Sequence, residues 1–135
     1  MTRTILFLCP HGAAKSIMAA AYFEQLAARF DLGLRADTAG TEPDAAVSPA
    51  VAQLLSEEGL GGHADRIPRL VTAEALSRAL RVISLGCNAS HLAPPGLVIE
   101  RWDDVPPPSQ NLPAARDLIR GHVEQLVNEL RQTLA

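Results

Sequence analysis

Thr4-Ile5-Leu6-Phe7-Leu8 is an unbroken apolar run with no polar alternation. That is the pattern of a strand covered on both faces, as in a parallel sheet. It gives way to Cys9-Pro10-His11-Gly12-Ala13-Ala14-Lys15-Ser16, which reads as a loop. Beyond it Met18, Tyr22, Leu26 and Phe30 recur at helical spacing, with Ala19, Phe23 and Ala27 beside them. This predicts an amphipathic helix, ended by Asp31-Leu32-Gly33. Leu34 to Thr38 predicts a weak second strand, and Ala39 to Asp44 a turn-rich loop. Ser48 is expected to cap a helix with Pro49 at its first position. That helix runs through Val51, Leu54 and Leu55 to a stop at Gly59. Gly61-Gly62-His63 predicts another loop, and Thr72 the cap of a short helix ending near Leu80. Arg81 to Leu85 predicts a third strand closed by Gly86-Cys87, and Leu97-Val98-Ile99 a fourth. Trp102 to Asn111 is an acidic, proline-rich loop. Ala115, Leu118, Ile119, His122, Val123, Leu126, Val127 and Leu130 then mark a last helix.

Strands alternating with helices imply an α/β fold, a parallel doubly wound sheet with helices on both faces. Sites in such sheets lie beyond the carboxyl ends of the strands, where both Cys9 and Cys87 fall. A length of 135 residues fits one domain spanning 1–135, and 47% apolar residues suffice for a core. Twelve basic residues against 15 acidic ones leave a formal charge of −3. That balance speaks against a nucleic-acid or anionic-membrane partner. The run from Ile5 to Cys9 is too short for a signal-peptide core or a membrane span. Two distant cysteines and four scattered histidines make neither a disulfide framework nor a zinc site, and no metal or cofactor is implied. The expectation is a soluble cytoplasmic protein with reduced thiols. One feature of the charge is uneven: of the 12 basic residues, only Lys15 is a lysine.

The unit that carries chemistry is the strand, the Cys9–Ser16 segment and the helix after it. A loop entering a helix N-terminus offers unpaired N–H groups and the positive end of the helix dipole, an anion site. Gly12 permits positive φ, which lets several N–H groups converge. The same field favours a thiolate on Cys9, as does the Lys15 ammonium. A thiolate beside an oxyanion pocket is equipped to attack phosphorus or arsenic. The competing reading is a cysteine that simply packs in the core.

Ile5-Leu6-Phe7-Leu8-Cys9 followed by Lys15-Ser16-Ile17-Met18-Ala19 resembles the start of the low-molecular-weight protein tyrosine phosphatases and of the thiol-linked arsenate reductases that share their fold. The hallmark of that family is Cys, five residues, Arg, Ser. The resemblance continues through Thr38-Ala39-Gly40-Thr41, Val47-Ser48-Pro49, Val82 to Cys87, Trp102 and the last helix. It implies a four-stranded sheet of order 2-1-3-4. It also implies an oxyanion site built from His11, Gly12, Ala13, Ala14, Lys15 and Ser16. Ser16 would hydrogen-bond the thiolate. Cys87, ending the third strand, is similar to the second redox cysteine of the arsenate-reductase branch. Adjacent strands lie about 4.8 Å apart, a spacing compatible with a Cys9–Cys87 disulfide.

Four departures bear on activity. Lys15 replaces the family's arginine, keeping the charge but losing the planar fork. One lost charge-assisted hydrogen bond costs about 1.5–3 kcal/mol, roughly 10- to 150-fold in rate if it acts in the transition state. Gly12 stands where the family has asparagine, and Pro10 has no N–H to offer. No Asp-Pro pair occurs; the family's general acid would fall near Pro106, which leaves Asp104 as the candidate. No third cysteine follows Cys87, so a Cys9–Cys87 relay would need a thioredoxin-like protein or a small thiol as reductant. The leading reading is therefore an arsenate reductase-like protein in which Cys9 attacks an oxyanion (arsenate, phosphate or similar) and Cys87 resolves the adduct. Phosphatase-type hydrolysis without Cys87 and a non-catalytic oxyanion- or phosphoprotein-binding module are the alternatives. A phosphocysteine carrier is a more distant one.

Overall fold

The computed structural model describes residues 3–134. Four parallel strands, β1 (Arg3–Leu8), β2 (Leu34–Ala39), β3 (Arg81–Ser84) and β4 (Ile99–Arg101), form one sheet in the order β2-β1-β3-β4. Helices α1 (Lys15–Arg29), α2 (Pro49–Glu57), α3 (Ala73–Arg78) and α4 (Leu112–Leu134) cover it on both faces. The doubly wound architecture and the strand order expected from the sequence are both present. Among the described residues no helix is long and apolar enough to cross a membrane.

The apolar run of β1 explains its central place. Ile5 and Phe7 point to one face, where they meet α1, α2 and α4. Leu6 and Leu8 point to the other, toward Leu76 of α3 and Val82 of β3. A strand buried on both faces has no solvent side to keep polar. Register follows from the pairs Leu8↔Ala39 and Leu8↔Ser84, which bring the ends of β1, β2 and β3 together at one edge of the sheet. The chain segment after β1 therefore emerges between two neighbours.

Several expectations shift by a few residues, each for a local reason. α1 begins at Lys15, so Lys15 and Ser16 belong to its first turn rather than to a loop. β4 is Ile99–Arg101 and not Leu97 to Ile99. Leu97 N–H donates to Pro94 O at 3.2 Å, closing a turn that holds Val98 out in solvent. Gly61–Asp65 forms a 3-10 turn rather than an open loop, and α3 stops at Arg78, short of Leu80. Thr72 caps α3 as expected, its Oγ1 accepting from Ala75 N–H at 3.1 Å. Ser48 holds the position before α2, but its side chain makes no capping bond. Its N–H is instead given to Ala13 O at 2.9 Å, so the residue anchors the Cys9 loop.

A polar tie secures the β2 edge. Glu24 of α1 accepts from Ala36 N–H at 2.8 Å and from Arg35 Nε at 3.0 Å, and Arg66 Nη2 lies 3.6 Å from its other oxygen. Burial pushes this carboxyl up, but the Ala36 N–H and the Arg35 and Arg66 guanidiniums outweigh it and hold the group below the usual glutamate value. A carboxyl depressed by folding adds stability that is present above its unfolded pKa and lost as pH falls through the folded one. Glu24→Gln should cost about 1–3 kcal/mol at pH 7 by urea unfolding. The gap to wild type should close below about pH 4. A gap unchanged at low pH would mean that packing, not charge, is what the substitution removes.

Candidate functional site

The site forms where β1 runs out. The Cys9–Ala14 loop turns its carbonyl groups outward onto N–H donors. Cys9 O accepts from Gly12 N–H at 3.3 Å and Pro10 O from Glu42 N–H at 2.8 Å. His11 O accepts from Asp44 N–H, Ala13 O from Ser48 N–H and Ala14 O from Met18 N–H, at 3.0, 2.9 and 3.0 Å. By contrast, the N–H groups of His11, Ala13, Ala14 and Lys15 have no protein acceptor among the described residues. With every such carbonyl capped and these donors left over, the loop carries a positive inner side at the N-terminus of α1. That is the polarity an anion requires.

Two glycines allow this fold-back. Gly12 takes φ +60, as its place in the loop led one to expect. Gly40, at the end of β2, lies directly behind the loop. A Cβ there would sit 2.7 Å from Gly12 N and 2.8 Å from both Cys9 O and Pro10 O. The loop thus rests on bare backbone. Sequence reading noted Gly40 only within a resembling segment; the steric demand comes from a contact between residues far apart in the chain, which leaves no local signal.

Cys9 is buried beneath the loop, and its Sγ serves as the cap that Ala14 lacks. Ser16 N–H points at Cys9 Sγ at 3.4 Å, while in the thiol form Sγ donates to Ser16 Oγ at 3.1 Å. On loss of the thiol proton the hydroxyl can turn and donate instead, so the sulfur anion would accept from both an N–H and an O–H. A cleft of about 500 Å³ opens over it, lined by Cys9, His11, Lys15, Ser48, Pro107 and Ser109 among others. Lys15 lines it too. Its Nζ would lie 3.4 Å from a Cβ built on Gly86, at the carboxyl end of β3. Among the described residues no carboxylate comes within ion-pairing distance of that ammonium. His11, at the cleft mouth, places Nδ1 3.0 Å from Glu42 O.

The two remaining candidates, Cys87 and Asp104, each have partners of their own. Cys87 packs with Leu6, Leu8 and Val82, whereas Cys9 packs with Ile5, Phe7 and Ile83. Both are free thiols, in different apolar clusters but near enough that charge on Cys9 is felt at Cys87. Ser84 pins the second one: its Oγ donates to Cys87 O at 2.5 Å and accepts from Cys87 N–H at 3.2 Å. Burial pushes the Cys87 thiol up, against the pull of the Ser84 hydroxyl; the charge on Cys9 raises it further and the Arg101 guanidinium lowers it. Arg101 Nη1 also donates to Cys87 O at 3.4 Å, a neighbour that sequence reading did not single out. Asp104 is engaged elsewhere. Its Oδ1 lies 2.7 Å from His122 Nε2, and His122 stacks on Trp102 at 4.8 Å between ring centroids. Where the expected acid would face the cleft, Pro107, Pro108 and Ser109 form the wall.

Residues 4–96 match the model of the family described as low molecular weight phosphotyrosine protein phosphatase. A protein of Halobacterium salinarum named "Putative arsenate reductase" is 30% identical over 126 residues, 92% of this chain and 87% of that protein. Among solved structures, YfkJ from Bacillus subtilis aligns with a TM-score of 0.82 at 23% identity, over 100% of this chain and 98% of its own. The thioredoxin-dependent arsenate reductase of Corynebacterium glutamicum aligns with a TM-score of 0.82 at 24% identity, over 98% of this chain and 63% of its own. The likeness to these two structures is one of fold.

Gly40→Ala should push the loop off its support. The expected cost is about 1–3 kcal/mol in urea unfolding, the range of an overpacked contact, with a changed rate of Cys9 alkylation by iodoacetamide. Gly62→Ala, whose added Cβ meets open space, should alter neither. Equal behaviour of the two variants would show that the loop does not depend on the Gly40 contact.

Proposed function

The chain belongs to the low molecular weight phosphotyrosine protein phosphatase family, and on that premise we propose that it works as an arsenate reductase-like enzyme with Cys9 as nucleophile. One observation carries the reading. The sulfur of Cys9 accepts the Ser16 N–H at the N-terminus of α1, in the same cleft as Lys15, beneath a loop in which the carbonyls of Cys9, Pro10, His11, Ala13 and Ala14 are taken up by N–H donors. A thiolate and an oxyanion would be stabilised by the same field there.

In this reading the unpaired N–H groups of the loop and the Lys15 ammonium bind arsenate. Cys9 attacks arsenic, an As–O bond breaks, and the arsenic(V) thioester forms. The Cys87 thiolate then attacks the Cys9 sulfur. The S–As bonding pair passes to arsenic, which leaves as arsenite, and a Cys9–Cys87 disulfide remains. Two electrons have moved from two thiols to arsenic, so an external thiol must restore them by exchange. A thioredoxin-like protein or a small thiol fits that need, and the Corynebacterium glutamicum neighbour is described as thioredoxin-dependent. Cys87 would first have to leave Ser84. Gly86, at φ +97, is the adjoining residue that tolerates such a change of backbone.

The second free thiol, Cys87, supports arsenate over a phosphoester, whose hydrolysis calls for no second cysteine. The oxygen leaving arsenate is a hydroxyl, which departs as water once it takes a proton. Lys15 supplies charge without the two-pronged geometry of arginine, so the expected rate is below that of an arginine-bearing relative.

Single-turnover assays with arsenate should yield arsenite and a Cys9–Cys87 disulfide by mass spectrometry. Cys9→Ser should abolish both. Cys87→Ser should stop arsenite release while phosphate still binds. Lys15→Met should weaken phosphate binding about 10- to 150-fold, the worth of one charge-assisted hydrogen bond. If wild type forms no arsenite, the reductase reading fails. Phosphoester hydrolysis that survives Cys87→Ser would replace it with the phosphatase reading.

A further inference from the structure

The first step of the reaction above sets a hydroxyl free from arsenic and needs a proton for it. The candidate expected from the sequence, Asp104, is tied to His122. Of the other side chains lining the cleft, Ser48 and Ser109 are hydroxyls and Lys15 is an ammonium. None of these types exchanges a proton readily near neutral pH, whereas an imidazole does. Among the described residues His11 is the histidine that lines the cleft.

Its surroundings resemble those of an oriented acid–base histidine. Nδ1 lies 3.0 Å from Glu42 O, and a carbonyl can only accept. Nδ1 therefore keeps its hydrogen in the neutral ring and in the imidazolium alike, and Nε2 is the nitrogen whose proton comes and goes. Asp44 Oδ1 lies 3.5 Å from the same Nδ1, placing a carboxylate beside the ring when it is charged. The geometry is fixed from both ends. Glu42 N–H donates to Pro10 O at 2.8 Å and Asp44 N–H to His11 O at 3.0 Å, so the turn that orients the ring is fastened to the loop that holds Cys9. The charged or titratable groups around it are Cys9 and Lys15 from its own segment, and Glu42 and Asp44 from the turn. The α2 end and the 107–109 wall contribute only Ser48, Ala50, Pro107, Pro108 and Ser109.

We propose that His11 is the general acid–base of the Cys9 cleft and hands its Nε2 proton to the departing oxygen of the bound oxyanion. The proposal rests on the oxyanion reading of the preceding subsection. As Cys9 thiolate bonds to arsenic, the As–OH bond breaks, the hydroxide takes the Nε2 proton and leaves as water. The arsenic stays at oxidation state +5 in this step, and the ring becomes neutral. Half-exposed at the cleft mouth, the ring recovers its proton from solvent.

The decisive variant is His11→Gln, whose amide can still donate to the Glu42 carbonyl but cannot transfer a proton. Two readouts are paired. The first is the pH dependence of Cys9–arsenic adduct formation in single turnover. The rate should fall about 10²- to 10⁴-fold in the variant, the usual weight of a placed acid, and the alkaline limb expected of wild type should be absent from it. Cys9 alkylation by iodoacetamide should stay near the wild-type rate, which a merely structural loss would not allow. The second readout is the His11 ring signal in NMR, assigned by its absence in the variant. Inorganic phosphate should drive proton uptake at that ring. A variant that keeps the alkaline limb, or a ring that ignores phosphate, overturns the proposal and leaves the reductase reading intact. A ring that takes up a proton with phosphate, in a protein that makes no arsenite, sustains the role of His11 and overturns the reductase reading alone.

Discussion

Cys9, Pro10, His11, Ala13 and Ala14 give up their carbonyl oxygens to five N–H donors, from Gly12, Glu42, Asp44, Ser48 and Met18. The consequence is electrostatic. A peptide chain that uses up its acceptors while sparing its donors becomes a local positive surface without any side-chain charge. An N–H left dry and unpaired costs about 1–3 kcal/mol, so a loop with several of them lowers its free energy by taking an anion. The same demand explains the sulfur beneath. With alanine at the position before α1, no side chain caps the helix, and Cys9 Sγ meets the Ser16 N–H instead. The Cys9 thiol, the cap of α1 and the donor-rich loop are thus one hydrogen-bonding arrangement, and Gly40 lets that loop lie flat on the end of β2.

The sheet that creates this site also divides it. Alternate residues of a strand face opposite sides, and the two cysteines end up in different apolar clusters. The register that brings the ends of β1 and β3 side by side thus leaves the two thiols near one another but free. Cys87 is held by Ser84 and flanked by Arg101, with Gly86 between it and Lys15. In the proposed reaction, a second thiol whose ionisation is opposed by burial would be kept from reacting before an adduct exists. On this view the chemistry of the first step is built into the fold, and the second step is a conformational event.

The loop after β4 shows how a family pattern can be rebuilt. Where an Asp-Pro acid would stand, the chain places prolines against the cleft. It then uses its nearest carboxylate, Asp104, as a strut to α4 through His122 and Trp102. Trp102 in turn packs on Phe7 of β1, which links this strut to the central strand. An acid residue near the right place in sequence was a fair candidate. Its actual partner lies on a helix that begins only after the loop, and nothing in the local pattern points to it.

The order of elements, the central position of β1, the helix after Cys9 and the glycine-dependent turn of the Cys9–Ser16 segment were legible in the chain. Each depends on short-range physics: apolar periodicity, glycine's freedom at Gly12, and the unpaired N–H groups of any helix start. Boundaries moved where a local hydrogen bond competed, as at Pro94 and Leu97. What the tertiary structure alone decided were relations between distant segments. These are the support of the loop by Gly40, the capping by Glu42, Asp44 and Ser48, the different apolar clusters of Cys9 and Cys87, and the choice of partners for His11 and Asp104. Periodicity tells a residue which way to face relative to its own element. Only packing of one element on another determines what it meets there, and in this protein the chemistry resides in those meetings.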